Sequence, residues 1–326
     1  MSVAARSARV GRSSSKFVLY AALVGNLLVA LAKAAAAAWT GSSAMTSEAI
    51  HSFVDSLNEI LLLYGIRRSD RRADTDHPLG YGRELYFWSF IVALLVFSLG
   101  AVAAVYEGVD HLLHPEPIRD QFVNYAVLAI AFVLDGASWL ISLRQFAAAK
   151  GDLGFYDAFR RSKDPPSFIV LFEDSAALLG IVVAAAGTFA SVALQEPILD
   201  GVASVIIGVI LGASAILVAR ESKSLLIGER ADPQLTKAIL DIAAAEPGVS
   251  GANGLLTVQL APDQVVAALS VEFSDDMKTG EIEEQVIAIE RKVREAHPEI
   301  VALFVKPQTG KTFLTSRKER FGDAAP

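Results

Sequence analysis

His51 and Asp55 lie four residues apart in the stretch SEAIHSFVDSLNEILLLYGIRR (47–68), which is long enough to cross a bilayer as a helix of about 20 residues. A spacing of four stacks both side chains on one helix face. One imidazole nitrogen and one carboxylate can then reach the same divalent cation. The stretch also carries Glu48, Asn58 and Glu59, and such groups are costly in hydrocarbon unless they face a cavity, a pathway or a partner. The His51/Asp55 pair therefore reads as a metal or proton site, with structural hydrogen bonding as the plainer alternative. Asn58 and Ser52 also suit helix-to-helix hydrogen bonds. Glu48, which follows Thr46 and Ser47, reads as capping and dipole chemistry.

Further acids sit in other apolar segments: Asp135 in the fourth, Glu173 and Asp174 in the fifth. Each would be expensive facing lipid alone, so acids on several helices favour one shared polar cavity. Lys33 falls in the outer half of the first segment, where a lysine can snorkel to the interface, and reads as structural. Asp200 reads as an interfacial cap at the start of the sixth segment.

The elements that must position these residues follow from composition. Of 326 residues 53% are hydrophobic, and the mean hydropathy is +0.43, which suits several spanning helices followed by a modest further domain. Six spans are predicted at about 17–39, 44–66, 85–106, 122–143, 168–192 and 201–219. They give a six-helix α-helical membrane bundle over 17–222, preceded by a cytoplasmic segment 1–16. The Arg- and Ser-rich start leads into an apolar run too long for a signal peptide, so the first helix is expected to stay. Basic residues crowd the start, the second-to-third loop (Arg67, Arg68, Arg71, Arg72, Arg83) and the fourth-to-fifth loop (Arg144, Lys150, Arg160, Arg161, Lys163). That pattern puts both ends in the cytoplasm, in keeping with a bacterial inner membrane.

Residues 223–306 read as a small α+β domain of α-β-β-α-β order and ferredoxin-like character. Its start signal is Asp232-Pro233, and its hairpin signal is Ala261-Pro262-Asp263-Gln264. Residues 307–326 read as a disordered tail. Arg83 and Glu229 are expected to approach one another where the two parts join.

Several chemistries are set aside. The chain has no cysteine, so thiolate metal sites and disulfides are excluded. A net charge of −7 without a basic stripe argues against a nucleic-acid partner. The run VKPQTGKT (305–312) ends like a phosphate loop but has Val305 where the first glycine is needed. No HExxH motif occurs, which argues against a zinc protease. No enzymatic activity and no cofactor are expected.

Three stretches, SEAIHSFVDSLNE, DHPLGYGRELYFWSF and LFEDSAALLG, together with six helices and the α-β-β-α-β domain, resemble the cation diffusion facilitator family. The last two are most similar to the branch containing the mitochondrial zinc transporter of animals. The resemblance implies a homodimeric secondary transporter that exchanges a divalent cation for protons. It also implies a tetrahedral site made by pairs four apart on the second and fifth helices. The second-helix pair maps onto His51 and Asp55, and the fifth-helix carboxylate onto Asp174. The remaining position is Val170, which cannot coordinate, so Glu173, Asn58 or water is left to complete the shell. A second metal in the loop after the second helix would use Asp74 and His77, with Tyr81 in place of another histidine. His297 alone makes no strong site in the C-terminal domain, and His111 and His114 are expected at the external surface.

Imidazole and carboxylates exchange protons, so metal and protons compete for the same atoms. One imidazole with carboxylates suits zinc, and also cobalt, iron(II), nickel, manganese or cadmium. The alternative reading is a metal-sensing or scaffold membrane protein that carries nothing.

Overall fold

A backbone in hydrocarbon must satisfy its own N–H and C=O groups, and a helix does so within one segment. The computed structural model describes residues 23–150 and 153–322. The expected segment 1–16, the start of the first helix up to residue 22, and the last residues of the tail lie outside the described residues. Helix α1 is Leu23–Thr40, α2 Ser43–Ser69, α3 Arg83–Leu113, α4 Gln121–Ala149, α5 the short Phe155–Arg161, α6 Pro165–Ala193 and α7 Ile198–Ile227. Among the described residues α1, α3, α4, α6 and α7 are long and apolar enough to cross a membrane. The 27 residues of α2 give it the length, and its charged groups set it apart from the other five.

The chain divides into two compact units, one of the described residues up to Arg67 with Glu84–Lys223, the other of Arg68–Arg83 with Ser224–Pro326. In the first unit, Val29, Met45, Leu128, Ile181, Ile207 and Leu211 are buried in one core. Helices α3 and α7 touch through glycine: a Cβ on Gly108 would lie 2.7 Å from the Val205 nitrogen. A left-handed glycine, Gly41 at φ 71°, separates α1 from α2. The N-terminus of α2 is held from another helix. Asp200, in the first turn of α7, accepts from the Ala44 N–H at 3.2 Å and from Ser42 Oγ at 3.0 Å. Asp200 is therefore a cap, but a fully buried one serving α2 and not an interfacial one at its own helix.

The second unit contains α8 (Pro233–Ala244), β1 (Val249–Ala261), β2 (Gln264–Phe273), α9 (Thr279–Ala296) and β3 (Ile300–Pro307), in the expected α-β-β-α-β order. The sheet runs β1-β2-β3, with β1 and β2 an antiparallel hairpin and β2 and β3 parallel. Alternate residues of β2, Val265, Ala267, Leu269 and Val271, are buried in a core shared with Ile289 and Val293 of α9, as a strand with one covered face requires. Asp232 caps α8 by accepting from the Gln234 N–H at 2.7 Å. Arg83 belongs to this unit, and its guanidinium lies 3.4 Å from where a Cβ on Gly228 would stand, beside the residue preceding Glu229.

The expected disorder after residue 307 is corrected. Gly310–Phe321 forms a further helix, α10. Thr309 caps it by accepting from the Thr312 N–H at 3.3 Å, and the Gly310 N–H donates to Glu272 Oε2 at 2.9 Å. Phe313 packs on Gly254 of β1, where a Cβ would collide with its ring.

Candidate metal centre

A cavity of about 30 Å³, room for a water or a bare ion, lies among α1, α2, α4 and α6. Asp55 and Glu59 reach it from α2, Asp135 from α4, and Glu173 and Asp174 from α6. Asp55 and Glu59 are four apart, which continues the row that begins at His51 along one face of α2. Adjacent Glu173 and Asp174 both line the cavity, so the turn of α6 that carries Asp174 brings a second carboxylate with it. Val170 lines it too, one turn before Asp174, as the mapping from the family pattern requires.

Neutral donors steer these carboxylates. Asn26 Nδ2 donates to Glu59 Oε1 at 2.8 Å, and Asn58 Nδ2 to Glu173 Oε1 at 2.9 Å. Asp174 Oδ2 accepts from Ser138 Oγ at 3.0 Å and from Ser142 Oγ at 3.3 Å, both on α4. His51 is buried, and its Nδ1 stands 3.3 Å from Asp55 Oδ1, yet neither ring nitrogen has a hydrogen-bond partner among the described residues. Asp55 Oδ1 and Glu59 Oε2 are likewise buried without one. Polar atoms left this way cost free energy unless something else engages them. One nitrogen and several carboxylate oxygens are the donor set of a borderline divalent cation such as zinc. Among the described residues no three His, Asp or Glu side chains already stand at metal-holding distance. His51 meets the cavity through Asp55 and does not line it directly.

Two sequence expectations for neighbouring residues are corrected. Lys33 does not snorkel: it is fully buried, and its Nζ donates to Glu48 Oε2 at 2.9 Å. Glu48 is not in the first turn of α2 and caps nothing; it is fully buried as the partner of Lys33. Position along the chain suggested a snorkelling lysine and a capping glutamate, and the packing of α2 and α4 around Lys33 placed both inside.

In the loop after α2, Asp74 Oδ1 accepts from the His77 N–H at 2.8 Å and the Asp76 N–H at 3.1 Å, while Asp74 Oδ2 accepts from the Tyr81 hydroxyl at 2.6 Å. The His77 and Tyr81 rings lie 4.3 Å apart between centroids. The Tyr81 hydroxyl, followed by the His77 N–H, holds the Asp74 carboxyl below the usual range, and the same bond pushes the Tyr81 phenol up. A metal here would compete with these donors for Asp74. His297 Nδ1 sits 3.3 Å from Glu299 Oε1 in a turn. His114 is exposed as expected, whereas His111, in the last turn of α3, is buried.

The Cation efflux transmembrane domain matches residues 19–227, well over half of the chain. The chain belongs to the cation efflux family. Members similar to it include the "Proton-coupled zinc antiporter SLC30A9, mitochondrial" of Xenopus laevis, 33% identical over 74% of this chain and 44% of that protein. The human protein of the same name is 34% identical over 74% of this chain and 43% of its own length. The chain thus spans less than half the length of these relatives. The "Cation-efflux pump FieF" of Cronobacter sakazakii is 26% identical over 82% of this chain and 83% of the pump.

Within a cation efflux protein, Asn26 and Ser138 line the cavity and Ser142 donates to Asp174, and sequence reasoning singled out none of the three; Glu59 it named only among the costly polar groups of α2. Glu59 had a usable signal, since it continues the i, i+4 row from His51 through Asp55. Ser138 and Ser142 share that spacing on α4 but gave no sign of which neighbour they face.

Proposed function

We propose that this chain is a secondary-active efflux transporter that exchanges a divalent cation, zinc foremost, for protons. The cation is held by Asp55, Asp174 and Glu173, with His51 turning in as the nitrogen ligand. The observation that carries this reading is the convergence of carboxylates from α2, α4 and α6 on one small cavity, beside a buried imidazole whose nitrogens are both without hydrogen bonds. The printed names of the relatives, a proton-coupled zinc antiporter and a cation-efflux pump, support it.

The chemistry follows from the donors. An arriving cation takes carboxylate oxygens that otherwise hold protons or the hydroxyls of Ser138 and Ser142, so binding one releases the other. A site that holds either metal or protons, exposed alternately to the two sides, couples their flows without ATP. Asn26, Asn58, Ser138 and Ser142 orient the carboxylates and carry no charge of their own. Both ends are assigned to the cytoplasmic face of a bacterial plasma membrane from the basic loops. The working unit is taken as a homodimer, and the loop residues Asp74 and His77 as a secondary, weaker metal site.

The deciding experiment is uptake of a panel of divalent cations into proteoliposomes with internal pH recorded. Zinc entry accompanied by an opposing proton flux, abolished in Asp55→Ala and in Asp174→Ala proteins that still purify as folded species, is the expected result. Near-normal uptake by either variant would sink the site, and no cation flux at all would leave the scaffold or sensor reading in its place.

A further inference from the structure

Lys33 contributes a full positive charge to the interior of the first unit at 0% exposure. Its Nζ donates to Glu48 Oε2 and to Ser52 Oγ of α2, each at 2.9 Å, and Asp135 Oδ2 of α4 lies 3.8 Å away. An ammonium has three protons to give, and three oxygens from two other helices surround this one. The second oxygen of Glu48 is buried without a hydrogen bond and rests against Gly180 of α6, where a Cβ would collide with it. Helices α1, α2, α4 and α6 therefore meet at an all-oxygen cation site, and its occupant is the chain's own lysine.

This site adjoins the cavity of the candidate metal centre, because Asp135 and Ser52 line that cavity as well. Glu48 and Asp135 offer the same hard oxygen donors as Asp55 and Asp174. Without a competing cation nothing would keep them from joining the transported ion or from taking a second one. We propose that Lys33 is a selectivity and positioning residue: a tethered counter-cation that withholds Glu48 and Asp135 from the cargo and confines the cargo to His51, Asp55, Glu173 and Asp174. Being covalently attached, the ammonium stays when the cargo leaves. The transported ion thus meets fewer carboxylates than the cavity region contains, which weakens its hold and favours release.

The inference rests on the proposed metal centre, and the test separates the two. Purified protein in detergent is dialysed against zinc or manganese and the bound metal is counted per chain. Wild type should bind one zinc, lost in Asp174→Ala. Lys33→Met should bind a second divalent ion and hold manganese about tenfold more tightly or better. Should Lys33→Met fail to fold, the charge-balanced pair Lys33→Met with Glu48→Gln frees Asp135 alone. The pair should keep one ion but hold zinc about tenfold more tightly, a gain erased by Asp135→Asn. Unchanged stoichiometry and unchanged zinc and manganese affinities in the folded variants would overturn the role of Lys33. Zinc binding that ignores Asp174→Ala in wild type would overturn the metal centre itself, and this inference with it.

Discussion

Asn58 of α2 donates through its side-chain amide to Glu173 Oε1 of α6 at 2.9 Å, and both side chains are buried. The bond fixes one oxygen of Glu173 and leaves the other for a cation. In the proposed site Glu173 would supply the donor that Val170 cannot. Glu173→Gln should weaken zinc binding by roughly tenfold to a hundredfold, while Asn58→Ala, which only loosens the carboxylate, should cost less. Competition with a coloured zinc chelator measures both. Equal affinities for wild type and Glu173→Gln would remove Glu173 from the ligand set.

Val170→His places an imidazole one turn before Asp174 on the wall of the same cavity. If the native shell lacks a protein nitrogen there, the variant should bind zinc more tightly and turn over more slowly. Zinc affinity and single-turnover release are the measurements. An unchanged affinity would mean that the shell is already complete.

His51 is the nitrogen donor of the proposed centre, and imidazole favours zinc, cobalt and nickel over the harder manganese. His51→Asp should therefore lose discrimination against manganese while keeping part of its transport. Zinc uptake against rising manganese reports it. Superimposable competition curves for wild type and variant would move His51 from ligand to proton carrier or hydrogen-bond donor.

The loop after α2 titrates by a different rule. The Asp74 carboxyl is held below its usual range, first by the Tyr81 hydroxyl. An acid lowered in the folded state contributes stability above its unfolded value, near about 4, and that contribution is lost as pH falls through the lower folded value. The Tyr81 phenol is raised by the same bond, so its contribution is present below about 10 and is lost as pH rises through the raised value. The loop should keep its order between these limits. Tyr81→Phe should move the Asp74 titration upward toward the ordinary range, as read by carboxyl-carbon NMR. No movement would assign the lowering to the backbone N–H of His77.

Much of the centre was legible because helical spacing is a strong constraint. His51 and Asp55 announce one face, and the acid pair at 173 and 174 announces another. The fold supplied what spacing cannot express. A single asparagine or serine in an apolar helix, such as Asn26 or Ser138, does not say which neighbour it meets. Lys33 was misread for a related reason: a lysine near one end of a span has the reach to leave the membrane, and only the arrival of Glu48 and Asp135 from two other helices makes staying inside favourable. The strands of the C-terminal domain were readable from their turn and their alternation. Helix α10 was not, because Gly310–Phe321 is largely polar and its docking depends on Phe313 finding a glycine in a distant strand.

The cap that Asp200 places on α2 has a mechanical meaning. With one end of a stiff rod pinned to α7, any tilt of the rod that also breaks its side-chain bonds further along turns about that pin. Asp55 stands eleven residues beyond Ala44, about 16 Å along the axis, so a swing of about 10° would carry its carboxylate through roughly 3 Å. That is comparable to the width of a coordination shell. Asp200 thus sits where a tilt of α2 would pivot, and a small change in tilt at the pinned end would move Asp55 relative to Glu173 and Asp174 on α6.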